Sequence, residues 1–157
     1  MPLNIDVSSD GVRSPISEAR IREIATIVLK AQRVTDAMVS IALVSNAYIA
    51  RLNRRHLGHS GPTDVISFSL GHTPSYAGKQ AVVGDIYIAP DVARANARRL
   101  GGGVRAEVAR LVVHGLLHVL GHDHPDGDGR LRSPMWRRQE VLLTKLSARG
   151  VIHLGKR

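Results

Sequence analysis

The sequence predicts an α+β fold, a single domain built on a mixed β-sheet of about four strands packed with helices. Three observations carry that prediction. Apolar stretches of period two alternate with stretches of helical period along the chain. Two helical stretches are adjacent at the C-terminal end, which departs from strict strand–helix alternation. Residues 105–120 are apolar around most of a helical circumference, the mark of a helix buried at the centre. At 157 residues, the chain is expected to act as one domain, 1–157, able to bury roughly 68–70% of its unfolded surface.

Leu3, Ile5 and Val7 alternate with polar neighbours and read as the first strand. Asp10 and Gly11 turn the chain. A helix then starts at Ser17, with Glu18 in its first turn and Ile21, Ile24, Ala25, Val28 and Leu29 as its buried stripe. Val39, Ile41 and Leu43, spaced by two, form a second strand facing one side. Ser45 or Asn46 caps a short helix through Arg55, whose Arg51, Arg54 and Arg55 share a face. That face is either solvated or in contact with phosphate, so Arg54 and Arg55 are the candidate substrate-binding residues. Residues 56–61 read as a loop, and Val65, Ile66 and Phe68 as a buried strand. Residues 71–80, rich in Gly, Pro, Ser and Tyr, read as an exposed loop bordering a cleft, with His72 solvent-exposed. Residues 81–88 form the next strand, in which Gly84 marks a bulge or a close backbone approach. Asp85 beside it either faces a cleft or holds a turn. Pro90 and Asp91 open a helix through Leu100, ended by Gly101 to Gly103. After the central helix, residues 125–133 read as a polar loop with Asp126 and Asp128 as solvated acids. A last helix, 134–147, offers Met135, Val141, Leu142 and Leu146 for packing, and His153 in the tail has no partner nearby in sequence.

The chain has no cysteine, which excludes a disulfide-linked partner and a thiolate metal site. Its start lacks the pattern of a signal peptide, and no 18 apolar residues run unbroken, so a cytoplasmic protein without a membrane span is expected. The formal charge is +9, and 18 of the 22 basic residues are arginine, whose planar fork suits phosphate. Nucleic acid is therefore a candidate partner, although a GC-rich genome yields a similar composition. With four Phe or Tyr residues and one Trp, a base-stacking platform is not expected.

Chemistry concentrates in residues 114–124, HGLLHVLGHDH. On a helix His114 and His118 stand at i and i+4, with their rings on one face. Gly121 is placed to end that helix in a left-handed turn that carries His124 back toward them. The alternative trio with His122 fails on an unbroken helix, because its outer members stand about 12 Å apart along the axis. His122 thus becomes a loop or supporting residue, and Asp123 a candidate to accept a ligand ring's second N–H. Three imidazoles with an open fourth position describe a site for one zinc ion, although three imidazoles also suit nickel or copper. Such an ion lowers the pKa of bound water toward about 7 and polarises a carbonyl or phosphoryl oxygen, so hydrolysis is the expected chemistry. The spacing HxxxHxxGxxH also occurs in zinc proteases, but those carry a glutamate directly after the first histidine. Here that position is Gly115. Phosphodiester cleavage depends less on such a base, since metal and arginine can carry the charge stabilisation.

The segments PTDVISF (62–68), GDIYIAP (84–90), HGLLHVLGHDH (114–124) and MWRRQEVLL (135–143) resemble the YbeY-type bacterial endoribonucleases, over about residues 46–147. The resemblance implies zinc on His114, His118 and His124 in a cleft beside a mixed sheet. It implies a cytoplasmic, single-strand-specific RNase acting in 16S rRNA 3′-end maturation and ribosome quality control, with ribosomal RNA and small-subunit components as partners. Two positions depart from the family pattern. Leu57 stands where members often carry a functional arginine, so no catalytic residue is carried over, and Arg54 or Arg55 is the candidate replacement. Ser69 stands where proline commonly follows the phenylalanine. The rival readings are a ribosome-associated assembly or RNA-binding factor with a mainly structural zinc, and a zinc protease. Neither the general base nor the attacking nucleophile, water or a ribose 2′-hydroxyl, is defined by these residues.

Overall fold

The structure, a computed structural model, describes residues 3–74 and 80–154, without the side chains of residues 72–74, 80 and 128. Four strands form one mixed sheet in the order β1-β2-β4-β3. β1 (Leu3–Ser9) runs parallel to β2 (Ala37–Leu43), β2 parallel to β4 (Gln80–Ile88), and the edge strand β3 (Val65–Pro74) antiparallel to β4. The expected α+β architecture on a four-stranded mixed sheet is the one observed.

Strand periodicity decides which face each element covers. Ile5 and Val7 on β1, Val39, Ile41 and Leu43 on β2, and Ile86 and Ile88 on β4 share one face and are all buried. Two helices pack there, α1 (Glu18–Ala31) and α4 (Val104–Val119), and α5 (Pro134–Ala148) packs on both of them. Ser17 caps α1, its hydroxyl accepting the Arg20 N–H at 3.1 Å, and the predicted stripe Ile21, Ile24, Ala25, Val28 and Leu29 is buried throughout. α3 (Pro90–Leu100) packs on α4 through Ala93 and Ala97 and ends at the left-handed Gly101. All but four of the sixteen residues of α4 are buried, which explains why its sequence lacks an exposed polar face.

Two glycines let that central helix lie close on the sheet. A Cβ on Gly115 would stand 2.8 Å from Ile86 Cγ2, and one on Gly84 would collide with the Val119 side chain. Gly84 is therefore a close approach, whereas the strand irregularity falls between Ser69 and His72 on β3, beside the left-handed Gly71. Ser69, on β3, donates its hydroxyl to the Val119 carbonyl at 3.1 Å and satisfies a free carbonyl at the end of α4.

The opposite face of the sheet is covered only in part. α2 (Asn46–Leu52), capped by Ser45, lays Tyr48, Ile49 and Leu52 over Ile66, Phe68 and Tyr87. Several sequence-based boundaries are corrected here. The second helix does not stop at Arg55 but widens into a π-helical turn, Asn53–Leu57, ended by the left-handed Gly58. The buried Asn53 side chain donates to the Gly61 carbonyl at 3.0 Å and ties the following loop down. Residues 71–74 and 80 belong to strands and not to the predicted loop; residues 75–79 and the side chain of His72 lie outside the described residues. Much of the predicted polar loop 125–133 is a 3-10 helix, Gly127–Arg132. On α5, Val141 is exposed, and Leu143 and Gln139 take buried positions instead.

Candidate metal centre

α4 presents His114 and His118 one turn apart, their ring centroids 4.6 Å from each other. The helix then closes with a left-handed Gly121, φ 96°. The His122 N–H donates to the Leu117 carbonyl at 2.9 Å and the Gly121 N–H to the His118 carbonyl at 3.0 Å, the pairing of a Schellman closure. That reversal returns His124, whose ring centroid lies 5.1 Å from each of the other two. One nitrogen from each ring lies within 4.8 Å of the others.

Hydrogen bonds decide which nitrogens converge. His114 Nδ1 meets Gln139 Oε1 at 2.8 Å, His118 Nδ1 the His122 carbonyl at 3.0 Å, and His124 Nδ1 the Pro125 carbonyl at 3.1 Å. A carbonyl oxygen only accepts, so each Nδ1 carries the hydrogen and each Nε2 a lone pair. The Nε2 atoms of His114 and His118 then face each other at 3.1 Å with no proton between them. Nitrogens bound to one tetrahedral zinc at about 2.0–2.1 Å stand roughly 3.3 Å apart. By donor type, tautomer and spacing, the three rings fit a single divalent ion.

Burial keeps the His114 and His118 rings ready to bind. It is the chief cause that lowers the pKa of His114 from 6.5 to about 4, with His118, Arg130 and His124 adding to the effect and the Gln139 hydrogen bond opposing it. His118 is lowered as well, first by burial and then by His124, against the pull of the His122 carbonyl and Asp123. Neutral imidazoles are the metal-binding form.

His122 contributes its carbonyl, while its ring sits 3.4 Å from Gln32 Nε2 on α1. The Asp123 carboxylate accepts the His124 backbone N–H at 2.8 Å. It shapes the turn and does not hold a ligand ring, contrary to the sequence-based expectation. Sequence reading missed Gln139, fully buried on α5. Its position four residues after Met135 and three before Leu142, on the apolar stripe of α5, was the available signal.

The rings open into a cleft of ≈ 640 Å³, walled by Ser67 and Ser69 of β3, Leu57 of the π-turn and Arg130 of the 3-10 helix. Arg130 was not anticipated. Arg54 and Arg55 are exposed on the π-turn and are not among the residues that line the cleft. Asp85 neither faces the cleft nor holds a turn: it pairs with Phe68 and Ser40 on the sheet face away from α4. There its charge adds to burial in raising the Tyr87 phenol.

Residues 5–147 match the family model described as Endoribonuclease YbeY. The chain belongs to the YbeY endoribonuclease family. Proteins named Endoribonuclease YbeY from Frankia alni and Thermobifida fusca are 33% and 36% identical, over 96% and 80% of this chain and 87% and 84% of theirs. One from Pelotomaculum thermopropionicum is 38% identical over 76% of this chain and 80% of its own. The solution structure of a Thermotoga maritima protein shares the fold, with a TM-score of 0.59 at 25% identity over 98% of this chain and 99% of that one. In this chain the histidine segment, 114–124, lies inside the region that the family model matches.

Proposed function

We propose that this chain, acting as one domain over residues 1–157, is a zinc-dependent, single-strand-specific endoribonuclease. Its role in this proposal is cytoplasmic: maturation of the 16S rRNA 3′ end and ribosome quality control, on ribosomal RNA and beside small-subunit components. Membership of the YbeY endoribonuclease family supports the reaction class. The observation that carries the metal assignment is the convergence of three Nε2 lone pairs, each fixed by a carbonyl acceptor on the far side of its ring. Zinc bound there supplies a water of lowered pKa and a positive centre for a phosphoryl oxygen.

The residues of the chain do the rest. His114, His118 and His124 hold the ion, and Gln139 with the His122 and Pro125 carbonyls keeps their rings aimed. Arg130 brings positive charge to the cleft wall, and Arg54 and Arg55 offer it on the exposed turn beyond Leu57. Structural zinc sites are closed by four protein ligands. Three ligands beside an open cleft therefore support catalysis over a mainly structural ion. In the deciding experiment, the purified protein and its H114A, H118A and H124A variants are analysed for metal, and the same samples are assayed on single-stranded RNA. Wild type should carry one zinc per chain and cut RNA in a chelator-sensitive way, and each variant should lose both properties. Metal-loaded protein that binds RNA without cutting it would replace this reading with an assembly factor.

A further inference from the structure

Beside the metal cleft lies a second pocket, of ≈ 240 Å³, and Asp64, His114 and Arg130 line both. Trp136, the only tryptophan of the chain, forms part of its wall. The Arg130 guanidinium lies over the Trp136 ring, 5.5 Å from its centroid, a stacking that keeps the charge at the junction of the two spaces. Arg130 is paired with no carboxylate among the described residues, unlike Arg110 in the same wall, which is engaged by Glu107 at 3.4 Å and Glu140 at 3.7 Å. Asp64, Asn96 and Arg99 add polar groups to the lining. Asn96 donates to the Asp64 carboxylate at 3.3 Å and accepts from Arg99 at 3.3 Å.

One arginine lying flat on an indole without a carboxylate partner, with the Asp64 carboxylate in the same lining, makes a surface for a planar, hydrogen-bonding ring attached to an anion. We propose that this pocket is a nucleotide subsite: the base next to the scissile phosphate stacks on the Arg130–Trp136 pair, and Arg130 also contacts that phosphate. The Asp64 carboxylate accepts from the amino edge of the base, as carboxylates do from cytosine. The subsite rests on the endoribonuclease reading for the identity of its ligand. It also answers a puzzle of composition, since one stacking unit at the reaction centre needs no aromatic platform elsewhere.

Because Trp136 is unique, its fluorescence reports the pocket directly. Metal-loaded protein is titrated with a single-stranded 2′-O-methyl trinucleotide, and cleavage of single-stranded RNA is measured on the same preparation. Saturable quenching is expected. R130A should weaken binding roughly fivefold or more, the lower end of what one stacked base contributes, and should raise KM for single-stranded RNA. A protein that cuts RNA while the trinucleotide leaves its fluorescence unaltered, or an R130A variant with wild-type KM, would overturn the subsite. Quenching that depends on Arg130 in a protein that cuts nothing would uphold the subsite and sink the hydrolytic reading, so the two fail separately. The quenching measurement needs only wild-type protein and survives any folding defect of the variant.

Discussion

Replacing Gln139 by leucine should separate metal affinity from stability. Gln139 is fully buried, its Oε1 accepts from His114 Nδ1 at 2.8 Å, and its Nε2 has no partner among the described residues. Q139L therefore removes one unsatisfied donor and creates another. Each such group costs about 1–3 kcal/mol when buried, so the two changes oppose each other and the metal-free protein should stay within about 1 kcal/mol of wild type. For a domain of this size that is a shift in Tm of roughly 2–4 °C. Metal binding has no such compensation. Without its acceptor, His114 is free to rotate or to move its hydrogen to Nε2, and either change must be reversed before the ring can bind. Loss of a partner that orients a ligand typically costs 10–100-fold in affinity, or about 1.4–2.7 kcal/mol. Competition against a chromophoric chelator measures the affinity, and thermal melts of the chelator-treated proteins measure the fold. Zinc affinity within twofold of wild type would refute the assigned role of Gln139, and with it the tautomer assignment for His114.

Other perturbations test neighbouring parts of the structure. His114 and His118 have lowered pKa values when folded, so the unfolded chain takes up protons first on acidification. Metal-free protein should accordingly lose stability as pH falls from about 6.5 toward about 4, by on the order of 3 kcal/mol from His114; urea titrations across that range should find a shallower slope in H114A. G115A should destabilise by about 1–2 kcal/mol in thermal melts: overpacking against the stiff, buried Ile86 costs about 1–3 kcal/mol and the gain in helix propensity returns up to about 1. Leu57 is 50% exposed and lines the metal cleft, so L57R should fold normally and lower KM for single-stranded RNA, by several-fold at low salt and less at high salt.

Local pattern told most of the fold. The stripe of α1, the alternation of β1 and β2, and the glycine after Leu100 each express a period or a backbone requirement within a few residues, and all are observed. The convergence of the three rings was legible for the same reason, since His114, His118 and His124 lie within eleven residues on a helix and its closing turn. What escaped depends on residues distant in sequence. Gln139 supports His114 from 25 positions away, and Arg130 reaches the cleft only because a polar stretch that reads as loop winds into a 3-10 helix. The inward side of α5 was half-read, because Val141 and Leu143 are equally apolar and only packing chooses between them. The π-turn left no signal, as Asn53–Leu57 has no proline or glycine to mark the widening.

Gly115 joins the fold to the chemistry. A peptidase of the same histidine spacing needs a carboxylate at this position to activate water. In this chain α4 lies so close to β4 that even a methyl at 115 would stand 2.8 Å from Ile86 Cγ2. Ile86 cannot yield, for it is 1% exposed and β-branched in the middle of the sheet. The position after His114 points into the core, away from the cleft where His114 and His118 present their Nε2 atoms. A glutamate there would have to bury its charge among apolar side chains or lift the helix and carry both histidine rings with it. The packing that fixes two of the three rings thus removes the place from which a peptidase base would act. Any general base must come instead from the cleft wall or from the substrate.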